Sequence, residues 1–258
     1  MEKKTKKWLT LTNVMALLMV VLYILDRWVI PIPESYNGFE WEESWKESAI
    51  AIYGEDYFNN LPEEELKILD TSRIISGYCG GVITNSLGII SEDINQNGNA
   101  FYRYFTVVFT HGFHLHLITN VLAFIIIGNY IEKKLGILPM IGLFFLTDIL
   151  GIPLTNLITG TNSTDTMVIA GASGGIFGLF GIGFAMCLLN KNKFKDFSKL
   201  NKIYLIIYGV VPTYIISFGW TTVVHNVSFI IGIVLGYILN FVSSKFKAEV
   251  NKEAKEVG

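Results

Sequence analysis

Between Lys202 and Lys245 the chain runs for 42 residues without a lysine, arginine, aspartate or glutamate. That length of uncharged chain exceeds one span of a lipid bilayer, which takes about 20 mostly apolar residues in a helix. It also contains a break at Gly219-Trp220 where the chain can turn. Four further runs, beside the two in this stretch, meet the same measure. Apolar runs of spanning length or near it occur at Trp8 to Ile30, Phe109 to Ile131, Leu135 to Leu157, Val168 to Asn190, Ile203 to Phe218 and Thr222 to Val242. Six spans are therefore expected. Composition agrees: charged residues are 16% of the 258 and hydrophobic ones 51%, where a soluble domain carries about 25% charged residues. The N-terminal run has a basic head but no small-residue cleavage site, so it reads as a retained first span.

The basic residues fix the orientation. Fifteen of the twenty lie in four segments: Lys3 to Lys7, Lys133-Lys134, Lys191 to Lys202, and Lys245 to Lys255. Positively charged loops stay in the cytoplasm, which puts those four segments inside and requires an even number of spans. The segment Pro31 to Tyr104 is acidic, with Glu40, Glu42, Glu43, Glu63, Glu64 and Glu65, and is expected outside. The expected organisation is a cytoplasmic tail at 1–7, a first transmembrane helix at 8–30, a long extracytoplasmic first loop at 31–104, five further helices at 105–243 and a cytoplasmic tail at 244–258. The long loop carries Trp41, Trp45, Tyr53, Tyr57 and Phe58, and Leu61 to Leu69 predicts a short helix. Cys79 and Cys187 lie in unlike regions and predict two unpaired thiols rather than a disulfide framework. Lys191 to Lys202 reads as a topogenic, lipid-facing loop, and nothing in the sequence speaks for nucleic acid.

Polar groups recur at one depth. The second, fourth and sixth spans all run from outside to inside. The second carries His111, His116 and Asn120 early, the fourth Gly171-Ala172-Ser173-Gly174-Gly175, and the sixth His225. Such side chains in the bilayer usually face the interior of the protein or a wet cavity. Each has a plain structural reading: serines and glycines pack helices, and a lone histidine bonds a neighbour. Zinc is a rival for the histidines. However, His114 and His116 face apart on a helix, the HExxH pattern is absent, and no cysteine or carboxylate lies in that stretch. The G-x-S-x-G string at Gly171 to Gly175 matches the elbow of soluble hydrolases, which needs a strand before it and a helix after it in an α/β sheet. An uncharged span offers no such context. Together, however, the pieces form a hydrolytic set: a serine, an imidazole able to take its proton, and donors for an oxyanion at His116, Asn120 and the Ser173 N–H. No carboxylate is available to orient His225, so a Ser-His dyad is inferred.

With those motifs in order, the chain resembles the rhomboid intramembrane serine proteases. The resemblance rests on Tyr102-Arg103, then His111, His116 and Asn120; on Gly171-Ala172-Ser173-Gly174; and on His225. It covers roughly Ala100 to Leu239 plus a preceding helix, and it implies an all-α, six-helix membrane bundle. By resemblance Ser173 is the nucleophile, His225 the base, and His116 and Asn120 oxyanion donors, with no metal and no cofactor. Substrates would be transmembrane proteins whose helices carry small or helix-breaking residues near the outer face. Residues in supporting roles are His111, Arg103, Phe177, Gly171 and Gly174, with the Phe177 ring expected on His225.

Two positions depart from the family pattern: Tyr102 stands for a tryptophan and Ser228 for a glycine. The second predicts a slightly wider gap between the fourth and sixth helices, and with it between Ser173 and His225. Glu132 is expected to make structural hydrogen bonds, whereas His114 and Asp148 have no assigned role. Two other classes compete with a protease: a rhomboid-like pseudoenzyme, which would lack the serine or histidine, and a transporter, which would line both membrane halves with polar groups. A bacterial plasma membrane, with both termini cytoplasmic, is the expected location.

Overall fold

Helix α1, Leu11–Ile24, shows how apolar helices in this chain are started. Thr10 accepts the N–H of Asn13 through its hydroxyl at 3.2 Å, an ordinary N-cap. The remaining first-turn donors have no partner within the helix. Glu132 supplies one from elsewhere in the chain: its carboxylate accepts the Leu11 N–H at 3.3 Å, the Thr12 N–H at 3.0 Å and the Thr12 hydroxyl at 2.7 Å. The expected structural role of Glu132 is thus a cap. At its other end α1 passes into a π-turn, Leu25–Val29.

The computed structural model describes residues 10–30, 87, 89–90, 101–112, 114–160, 168–194, 197 and 220–256. The short helix α2, Arg103–Thr106, continues as a 3-10 turn, Val107–Phe109. Then follow α3, His114–Leu135, and α4, Ile137–Thr159. Only Gly136 separates these two; its φ of +99° lies where a side chain would be strained. Strands β1, Ile89–Ile90, and β2, Val168–Ile169, form a two-stranded antiparallel pair with Ile89 opposite Ile169. After them come α5, Ser173–Leu189, the single turn α6, Lys191–Phe194, and the long α7, Trp220–Glu256.

Four helical segments are long and apolar enough to cross a membrane: Leu11–Val29, His114–Leu135, Ile137–Thr159 and Thr222–Ser244; α5 is a shorter apolar helix. The protein is therefore a multi-pass membrane protein, helical in nearly all its described residues. Exposure follows the same logic. On α3, Leu115, Ile118, Leu122 and Ile125 are exposed, while Leu117, Phe124, Ile127 and Ile131 are buried. Both faces are apolar and both repeat at helical spacing, as expected of a helix with lipid on one side and protein on the other. The expected fifth span, Ile203 to Phe218, the tail 1–7 and nearly all of the first loop, including its aromatic cluster, the Leu61 to Leu69 helix and Cys79, lie outside the described residues.

Contacts divide the chain into two units, 1–16 with 119–162 and 172–258, and 17–118 with 163–171. In the first, α5 packs against both α4 and α7, which also touch each other. Glycines allow it. A Cβ on Gly232 of α7 would collide with the carbonyl oxygen of Gly178 on α5, and one on Gly181 would collide with the backbone of Phe229. Further along, Asn190 donates to Asn240 at 2.6 Å. In the second unit, Arg27 donates to the Gly112 carbonyl at 2.6 Å, and the Gly171 N–H donates to the Val107 carbonyl at 3.1 Å.

Three boundaries differ most from the sequence reading. The second and fourth runs start as expected in composition, but their helices begin later, at His114 and Ser173. His111 therefore precedes α3 instead of riding on it. Val168 and Ile169 are strand, because their backbone pairs with Ile90 and Ile89. The last apolar run ends at Val242 by composition, whereas α7 continues to Glu256.

Candidate active site

Ser173 is the first residue of α5. Ala172 before it is the N-cap and has no side-chain acceptor, and Gly171 has φ +119°, a conformation open to glycine. The sequence Gly-Ala-Ser-Gly thus ends one extended segment and opens a helix within four residues. Ser173 opens the helix rather than lying within it. It stands at a helix start, where unpaired N–H groups and the positive end of the helix dipole favour negative charge. A two-residue strand does precede it, in a local strand–turn–helix order, but without the α/β sheet that a soluble hydrolase elbow requires.

His225 lies in the second turn of α7, and its Nε2 is 2.9 Å from Ser173 Oγ. The Phe177 ring, one turn after Ser173, stacks on the imidazole at 4.3 Å and 9°. Aromatic stacking of this kind fixes the ring plane and leaves the in-plane nitrogen directed at the hydroxyl. Ser173 is half-buried and His225 is 9% exposed. Ser173 and His225 are within hydrogen-bond distance despite Ser228. Ser228 is fully buried with its hydroxyl against Gly151 of α4, so the missing side chain at Gly151 accommodates the extra atoms.

Asn120 is fully buried on α3, and His116 lies one turn before it on the same helix. The three clustered histidines divide into separate roles. His114 Nδ1 is hydrogen-bonded to the Tyr23 hydroxyl at 2.7 Å, and Trp28 stacks on the same ring at 5.7 Å. His111 is buried, with its ring 5.2 Å from His116 in an edge-on arrangement. Arg103 is buried, with its guanidinium 5.7 Å from the Tyr102 ring centre. Among the described residues no three His, Cys, Asp or Glu side chains are grouped so as to hold a metal ion.

The sequence from residue 98 to 246 matches the Rhomboid domain, more than half of the chain. The chain belongs to the rhomboid family. Each residue on which the resemblance rested lies inside that match. This rhomboid is also 28% identical over 156 residues to "RHOMBOID-like protein 5" of Arabidopsis thaliana, an overlap of 60% of the present chain and 48% of the plant protein. The chain thus spans about half the length of that relative.

Sequence reasoning overlooked two residues of the rhomboid and left a third without a role. Tyr23 and Arg27 sit at the end of the first apolar run, where a tyrosine and an arginine are ordinary interface residues; nothing in their spacing signals His114 or Gly112 as partners. Asp148 was conspicuous as an ionisable residue inside a span, but its partner was invisible. It is the Gly175 N–H, which donates to Asp148 Oδ1 at 2.9 Å.

Proposed function

We propose that this rhomboid is an intramembrane serine endopeptidase that cleaves transmembrane helices of other membrane proteins near the outer face, using Ser173 and His225 as a dyad. The observation that carries the reading is the 2.9 Å separation of Ser173 Oγ and His225 Nε2 under the stacked Phe177 ring. Membership of a family composed in general of serine proteases supports it. Ser173 Oγ attacks the scissile carbonyl carbon while its proton passes to His225 Nε2. For this the imidazole carries its resting proton on Nδ1. The oxyanion is stabilised by the Ser173 N–H at the positive end of α5, by Asn120 and by His116. The imidazolium then protonates the leaving amine, and water, activated by the same histidine, hydrolyses the acyl-enzyme. No metal or cofactor enters these steps. Gly171 and Gly174 shape the turn at the nucleophile, and His111 and Arg103 support the segment before α3.

A substrate helix has its carbonyls internally bonded and must unwind before attack, so segments with small or helix-breaking residues are favoured. The reading carries with it six spans, the long outer loop at 31–104, cytoplasmic tails at 1–7 and 244–258, and residence in a bacterial cell membrane.

A fluorophosphonate probe tests it. Wild type is labelled, whereas Ser173→Ala and His225→Ala are not. Asn120→Ala is labelled but turns over a single-span substrate about a hundredfold more slowly, the usual cost of one oxyanion donor. An unlabelled wild type, or a labelled Ser173→Ala, removes the nucleophile and leaves a client-binding rhomboid.

A further inference from the structure

Asp148 is the sole ionisable side chain of α4 and is 3% exposed. Within a membrane such a group needs a partner. Its Oδ1 accepts the Gly175 N–H at 2.9 Å, and Gly175 is the third residue of the helix that begins with Ser173. That N–H is the one an N-cap side chain ordinarily takes. Ala172, at the N-cap, has no such side chain and makes no cap bond. Asp148 therefore supplies from α4 the acceptor that the nucleophile's own segment lacks. Gly174 is the entrance: a Cβ there would stand 2.6 Å from Asp148 Oδ1. The α5 ladder starts in the same turn, where the Ile176 N–H donates to the Ala172 carbonyl at 3.1 Å.

We propose that Asp148 is a positioning residue for the hydrolytic reaction. By capping α5 it holds the first turn so that Ser173 Oγ stays on His225 and the Ser173 N–H remains available to an oxyanion. The proposal rests on Ser173 being the nucleophile, as put forward above. Asp148 acts through backbone and touches no substrate. Its contribution is the acceptor atom, not negative charge, because a carboxylate anion opposes the positive helix end that favours an oxyanion. A neutral amide of the same shape therefore does the same work.

The test measures the rate constant of fluorophosphonate inactivation, together with kcat and KM on a single-span substrate, for Asp148→Ala and Asp148→Asn. Asp148→Ala lowers inactivation and kcat about tenfold to a hundredfold, the effect of sub-ångström misplacement of reacting groups, with KM nearly unchanged. Asp148→Asn restores both to within about threefold. An alanine variant as fast as wild type, a change in KM alone, or an asparagine variant as slow as alanine overturns the proposal. If the alanine variant fails to fold, residue-resolved amide exchange on wild type decides. Gly175 is expected to exchange far more slowly than an uncapped first-turn amide, and fast exchange overturns the proposal. Failure of wild type to react with the probe would instead remove the nucleophile reading, and the exchange measurement at Gly175 would still report on the cap.

Discussion

The geometry at Ser173 depends on what its neighbours lack. Gly171 lacks a side chain and can take φ +119°, Ala172 lacks a cap, and Gly174 lacks the Cβ that would strike Asp148. His225 is held differently, by a ring. With Phe177 stacked on His225 at 4.3 Å, the imidazole has one face fixed by protein. An aromatic pair of this kind contributes about 0.5–1.5 kcal/mol beyond burial. Phe177→Ala is therefore expected to slow fluorophosphonate labelling roughly two- to tenfold, with His225 still required. A variant as reactive as wild type would show that the ring only fills space. At this scale the sequence was legible in residue types and illegible in partners. His114 illustrates why: it carries the same imidazole as His116, two residues away, but bonds Tyr23 from a segment 91 positions earlier.

At the scale of helices, one device occurs twice. Glu132 caps α1 and Asp148 caps α5, each from a different helix, supplying acceptors to first-turn N–H groups that no carbonyl of their own helix can reach. A second device is the row of glycines between α5 and α7. The neighbouring atoms at Gly181 and Gly232 are backbone, which cannot swing aside as a side chain can. Gly232→Ala is expected to force the two helices apart, costing about 1–3 kcal/mol and slowing labelling at Ser173. Gly142→Ala is the contrast. No atom lies within 4 Å of its Cβ position, and alanine is the better helix former, so stability should hold or rise by up to about 1 kcal/mol. Thermal unfolding of the two variants in one detergent checks both, and equal melting temperatures would refute the packing argument. The helix starts at His114 and Ser173 were misread because apolar composition does not mark where a helix begins. Val168 and Ile169 suit a span by hydropathy and a strand by backbone pairing, and only the presence of Ile89 and Ile90 decides between them.

Over the whole molecule, the distribution of lysines predicts which segments face the cytoplasm. Single cysteines at Thr164 and Lys195, in a background with Cys79→Ser and Cys187→Ser, give a direct check with a membrane-impermeant maleimide on intact cells. Thr164→Cys should be labelled from outside and Lys195→Cys only after permeabilisation. The opposite pattern would invert the orientation, and with it the face at which the proposed cleavage would occur.

The sequence by itself determined the membrane class, the apolar segments and the candidate chemistry, because hydropathy, charge and residue type are properties of single positions or short windows. The spacing of glycine, serine, histidine and asparagine was enough to suggest the family. Only the tertiary structure decided which groups meet: Ser173 with His225, Asp148 with the Gly175 N–H, Glu132 with the start of α1, Ser228 with Gly151. Hydrogen bonds and close packing act over a few ångströms, and residues separated by 27 to 121 positions come within that reach only when helices have packed.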